Sequence, residues 1–159
     1  MTPPDKVWTA DLGQLASESM KIELGQLLEF ARRYTAAWCS KDPGSVAAFY
    51  SPDGSLSVNE DAPAVGRSAI AEVARGFMAA FPDLQVMMDD VLIQGERAVY
   101  HWTLTGSNTG PGGTGKRVRI SGFEIWEIGV DGLIAKSLGH FDSTAYQHQL
   151  KHGIEESNR

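Results

Sequence analysis

Cysteine is nearly missing from this chain. Cys39 is its only thiol in 159 residues, which excludes an internal disulfide and any thiolate-based zinc site. Histidine is scarce as well, and the four present do not recur at metal-ligand spacings, so no metal is expected. Basic residues are outnumbered 14 to 20 by acidic ones, for a net charge of -6. That leaves no broad cationic footprint for a phosphate backbone or an anionic membrane surface, and neither nucleic acid nor membrane is expected as a partner. No apolar run approaches the roughly 20 residues of a membrane span. The opening "MTPPDKVWTADLGQ" lacks the basic-then-apolar pattern of a secretory signal. The expectation is a cytoplasmic protein.

What is present fits one compact domain, since 42% of the residues are hydrophobic and the length suffices for a core that needs no covalent staple. "KIELGQLLEFARRYTAAWC" sets Leu24, Leu27, Leu28, Ala31, Tyr34 and Trp38 on one helical stripe. Asp42 followed by Pro43 reads as an N-cap with proline at the first helical position, opening a short helix that "SPDG" ends. "SLSVN" reads as a strand. "RSAIAEVARGFMAAF" repeats Ile70, Val73, Phe77 and Phe81 at helical intervals until Pro82 stops it.

Four segments then follow that are rich in β-branched and aromatic residues: "LQVMMDDVLIQG", "RAVYHWTLTG", "KRVRISGFEIWEIG" and "LIAKSLGHF". Helices followed by a run of neighbouring strands predict an α+β domain with three helices packed on a mainly antiparallel sheet. The spacing divides the chain into an N-terminal arm or extra helix over 1–20, a single domain over 21–152 and a fraying tail over 153–159. "GPGGTGK", Gly110 to Lys116, has the spacing of a phosphate-binding loop. Arg117 stands where that motif needs Ser or Thr, and a strand follows where it needs a helix. A glycine-rich hairpin connection is the expectation there.

Several short pieces, in their order, resemble the nuclear transport factor two-like superfamily and, within it, the SnoaL-like polyketide cyclases: "AVGRSAI", "WTLTGSNTG", "ISGFEIW", "DGLI" and "HFDSTAYQHQL". The resemblance implies a cone in which a curved sheet wraps three helices around an apolar pocket, usually as a homodimer formed through the sheet. It also implies proton-transfer chemistry without cofactors on an apolar cyclic or polyketide-like molecule, or simple ligand binding. An epoxide-hydrolase-like enzyme is a further member type, needing two carboxylates and an arginine around one water. Asp142 matches the cyclase general acid/base, and Glu124 a polar pocket residue. Trp126 falls where the cyclases carry a histidine. Tyr34 falls where the related ketosteroid isomerases hold an oxyanion-stabilising tyrosine, while their base falls at Val58, which cannot accept a proton, so ketosteroid isomerisation is not expected unless Asn59 or another group substitutes.

The residues themselves add to this. Residues two apart on a strand share a face, which groups His140 with Asp142 and Glu124 with Trp126. A dry pocket would raise the Asp142 carboxyl pKa, whereas capping the helix "STAYQHQL" would lower it. His101, mid-strand between Tyr100 and Trp102, is a candidate pocket donor. Trp126 could stack on a planar ligand beside Glu124, and Trp102, on the face opposite His101, completes the candidate binding set. Glu124, between Phe123 and Ile125, needs a partner if buried, and Arg117 or Arg119 is the nearest cation in sequence.

Overall fold

A computed structural model describes residues 24–154. The expected arm or helix over 1–20 and residues 155–159 of the expected tail lie outside the described residues. Helix α1 occupies residues 24–39, and its stripe buries Ala31, Tyr34 and Trp38 while Leu24 stays exposed. Helix α2 (Pro43–Ala47) starts as its sequence predicts, with the Asp42 side chain accepting from the Gly44 N–H. Helix α3 (Arg67–Ala80) buries Ile70, Ala74 and Met78 most deeply. Val73 and Phe77 sit one step round the helix, half-buried, and face a cavity instead.

Strand β1 runs from Tyr50 to Val58, well before the predicted "SLSVN". The expected helix stop "SPDG" therefore lies inside a strand. It is accommodated by a shift of register between Tyr50 and Ser55, the kind of bulge that lets Pro52 and Asp53 face solvent. A Cβ on Gly54 would stand 2.7 Å from the Ile134 carbonyl, so only glycine lets the bulged strand run this close to its neighbour. The short β2 (Ala64–Val65) pairs back on β1. Strands β3 (Gln85–Gln94), β4 (Arg97–Ser107), β5 (Arg117–Ile128) and β6 (Ile134–Phe141) match the four predicted segments, and α4 (Ser143–His152) follows. The glycine-rich segment joins β4 to β5, with Gly112 and Gly115 at positive φ. This is the hairpin connection rather than a phosphate loop.

The six strands form one sheet in the order β2-β1-β6-β5-β4-β3. All pairings are antiparallel except β1 with β6. The helices α1 and α3 share their buried side chains with one face of this sheet, through Tyr100, Trp126 and Ile134. Register fixes which residues look that way. Tyr100 pairs with Glu124 and Glu124 with Gly139, and directly opposed residues point to the same side. These therefore lie on the inner face. Their neighbours His101, Phe123 and His140, also in register, lie on the outer face.

Candidate functional site

Between α1, α3, the inner face of the sheet and the start of α4 lies a cavity of about 70 Å³, or about 680 Å³ when all free space within it, open solvent included, is counted. Its walls are overwhelmingly apolar: Leu56 and Val58 come from β1, Phe77 from α3, Leu104 from β4 and Ile120 from β5. The carboxylate-bearing residue among them is Glu124. Among the described residues no arginine lines it, so the two carboxylates and arginine of an epoxide-hydrolase site do not come together in this part of the fold.

Glu124 is held by neutral donors. Its Oε1 accepts from Trp126 Nε1 at 2.7 Å, Ser137 Oγ at 2.8 Å and Tyr34 OH at 3.0 Å. Its Oε2 has only the longer 3.2 Å approach of the same Tyr34 hydroxyl. Tyr34 has one proton, which points at the carboxyl, so Tyr50, 2.8 Å away, donates to the Tyr34 oxygen. The expected pairing with Arg117 or Arg119 does not occur. Arg117 instead reaches Asp83 at 3.6 Å on the surface, because it lies near the start of β5, seven residues before Glu124. With no cation at hand, burial pushes the Glu124 carboxyl above its ordinary range, and the hydrogen bonds from Trp126, Ser137 and the tyrosines pull it partly back. Burial also raises Tyr34 and Tyr50 well above the usual phenol range, with the Glu124 charge adding to it.

This arrangement has a chemical consequence. The three donors on Oε1 hold the carboxyl in place, and Oε2 is free to carry or release a proton without breaking that hold. Tyr100 stands beside it on the cavity wall, stacked on Trp126 at 4.8 Å. Thr35 gives its own proton to the Ala31 carbonyl at 2.7 Å, so Tyr100 donates to Thr35 Oγ1 at 2.5 Å and has no proton left for a ligand.

The other predicted residues divide between the cavity, the network behind it and the outer face. Trp102 lines the cavity with Glu124. Trp126 and Tyr34 are fully buried, at 0% exposure. They sit behind Glu124 as its donors and are not cavity walls, so Trp126 stacks on Tyr100 rather than on a ligand. Asn59, at φ 51, accepts from the Phe141 N–H at 2.9 Å and gives its own N–H to the Gly139 carbonyl, tying the end of β1 to the end of β6. His101 is on the outer face. His140 borders the cavity, yet its ring packs on Phe123, centroids 5.1 Å apart, on the outer side. It makes no hydrogen bond to Asp142. Asp142 is exposed and caps α4, its Oδ1 accepting from the Ala145 N–H at 3.0 Å. Asp142→Ala is expected to lower stability by about 1 kcal/mol, and Asp142→Asn, which caps equally well, by only a few tenths. Urea denaturation of the two variants checks this.

Sequence reasoning missed Ser137 as a partner of the carboxyl and Tyr50 as the group that backs Tyr34. Tyr50 is the first residue of β1, ahead of the strand that the sequence predicted. Ser137 carries no local signal, and only its register opposite Trp126 brings it there. Among the described residues no three His, Cys, Asp or Glu side chains gather as a metal-holding group, and no helix is long and apolar enough to cross a membrane.

A mixed sheet with helices on one face and an apolar cavity between them is the build of ketosteroid isomerase-like, nuclear transport factor two-like α+β proteins. One such structure is a hypothetical protein with a ketosteroid isomerase-like fold from Catenulispora acidiphila in complex with trimethylamine: TM-score 0.67, 15% identity, 76% of this chain and 91% of that one covered. A putative SnoaL-like polyketide cyclase from Jannaschia sp. superposes at TM-score 0.71 with 18% identity over 82% of this chain and 94% of the other. AclR, a putative hydroxylase from Streptomyces galilaeus, does so at 0.68 with 23% identity over 80% and 82%. At such identities these likenesses carry the fold. The chain belongs to the SnoaL-like domain family, whose pattern matches residues 31–137. No curated protein matches it in sequence.

Proposed function

We propose that this protein is a cofactor-independent acid–base enzyme of the SnoaL-like kind, acting on an apolar, cyclic or polyketide-like molecule with Glu124 as the proton-transferring group. The observation that carries the proposal is a buried carboxyl with a raised pKa, beside an apolar cavity, with one oxygen lightly engaged. A raised pKa brings a carboxylate towards the strength needed to take a proton from a carbon beside a carbonyl. In that step the C–H electron pair becomes the enolate, the proton lands on Oε2, and the same oxygen returns it to the carbon or to a neighbouring position. Trp126, Ser137 and Tyr34 hold the carboxyl and stabilise its ionised form between the two half-steps. Asp142, outside the cavity as a helix cap, takes no part in this scheme.

The test needs no known substrate. A panel of cyclic ketones in deuterated buffer is followed by NMR for exchange at the α-carbon. The wild type is expected to accelerate exchange of at least one, and Glu124→Gln to lose about 100-fold or more of that rate. Undiminished exchange in Glu124→Gln defeats the assignment. A second reading, a ligand-binding module without chemistry, is favoured by the three donors already fixed on Oε1, an arrangement that also serves a purely structural polar knot. Binding of the ketones with no wild-type exchange would select it.

We also propose that the protein pairs with a second copy through the outer face of the sheet. Leu92, Val99, Ile125 and Leu138 stand side by side in register across β3, β4, β5 and β6 on that face, and Leu92 is 43% exposed. Such an apolar band favours burial against a like surface. Sedimentation equilibrium is expected to give twice the 17.2 kDa chain mass, and Leu92→Glu to give the monomer. A wild-type monomer at micromolar concentration would sink this reading.

A further inference from the structure

One polar atom of a residue that lines the cavity has no counterpart. Among the described residues, Trp102 Nε1 is the buried side-chain nitrogen or oxygen without a hydrogen-bond partner. Other polar side chains of the same strands are satisfied: Trp126 by Glu124, Tyr100 by Thr35, and Thr103 by Asp89 and Ser121. Leaving such a donor unpaired costs about 1–3 kcal/mol, and buried indoles as a rule find an acceptor. The position is also enforced. Trp102 pairs with Gly122 on β5, and a Cβ at Gly122 would lie 2.6 Å from the indole Cζ2. Phe141 meets the ring edge-on with centroids 6.1 Å apart. The chain thus clears space to set this indole at the wall and supplies nothing for its N–H.

We infer that the cavity takes an uncharged, mainly apolar ligand whose acceptor oxygen, a carbonyl or ether, is bound by the Trp102 indole N–H. This rests on the proposed use of the cavity and names the chemistry it selects. A neutral ligand fits because the surrounding walls are apolar and their one carboxyl is that of Glu124, so an anion would be desolvated there and repelled whenever that carboxyl is ionised. A lone water is a poor occupant, since it needs two to four polar partners and the walls are overwhelmingly apolar. Tyr100 has already spent its proton on Thr35, so it does not compete with the indole for the ligand oxygen. Trp102 is a binding residue that sets which atom lies near Glu124.

The test uses ¹⁵N-labelled protein and two probes of matched shape, cyclopentanone and methylenecyclopentane. Trp102→Phe identifies the indole signal of Trp102 by its loss. Cyclopentanone is expected to move that indole proton downfield in the wild type and to bind Trp102→Phe about five- to tenfold more weakly. Methylenecyclopentane is expected to bind both proteins equally, which also shows that the variant keeps its fold. If cyclopentanone shifts other cavity signals but leaves the Trp102 indole in place, or binds Trp102→Phe as well as the wild type, this inference falls and the proposed function stands. If neither probe binds, the use of the cavity itself is wrong and both fall together.

Discussion

Replacing Glu124 by alanine is expected to destabilise the protein by several kcal/mol. The substitution strands the indole N–H of Trp126 and the hydroxyls of Ser137 and Tyr34 in a buried site, at about 1–3 kcal/mol for each donor left without an acceptor. Glu124→Gln keeps an oxygen at the Oε1 position for those donors and should cost much less. It also removes the titration, and the two proteins will then respond differently to pH. The carboxyl titrates near 4.5 in the unfolded chain and higher in the fold. The folded state therefore holds the proton more tightly, so its contribution is complete below pH 4.5 and is lost as pH rises through the folded value. Each tenfold gain in proton affinity on folding is worth about 1.4 kcal/mol. Urea denaturation at a series of pH values should show the wild type losing stability relative to Glu124→Gln from pH 4.5 upward and then levelling off. Parallel curves would mean that the carboxyl ionises as easily inside the protein as in water.

Gly122→Ala is the second large effect. The added Cβ would sit 2.4 Å from the His140 carbonyl oxygen and 2.6 Å from the Trp102 ring. The first neighbour is backbone of the adjoining strand and can move only by parting β5 from β6. Overpacking of this kind costs about 1–3 kcal/mol, and here it falls on the cavity wall. The expected outcome is a lower denaturation midpoint together with an altered Trp102 fluorescence maximum, as the indole is pushed from its place. A variant with wild-type midpoint and spectrum would show that the strands yield freely at this point.

How much of this was legible beforehand differs between fold and site. Helix stripes, proline and glycine punctuation and β-rich segments marked the elements well, because each is a local property of neighbouring residues. The start of β1 was lost, since Pro52, Asp53 and Gly54 make a turn signal that only the passage of β6 alongside turns into a bulged strand. Parity grouped His140 with Asp142 and Glu124 with Trp126. It could not say which group faces inward, because that is decided by which strand lies next to which. Once Gly139 is seen to oppose Glu124, the histidine belongs to the outer surface. The carboxyl's neutral partners come from α1, β1, β5 and β6 and are up to 90 residues apart in sequence, beyond the reach of any spacing rule.

The parallel pairing of β1 with β6 bears on how the protein is made. Tyr50 pairs with Ile134 and Val58 with Gly139, so the strand that fills the middle of the sheet is the last of its six described strands to be synthesised. Until then β1 has only the two-residue β2 beside it, and β5 has an open edge. At the usual pace of about 5–20 residues per second, a ribosome needs several seconds to make the stretch between them, with apolar strand edges waiting for their partner. Closing so long a loop is slow. Gly139, His140 and Phe141 bring their section of the cavity wall with them, so the cavity is left open on that side until β6 emerges.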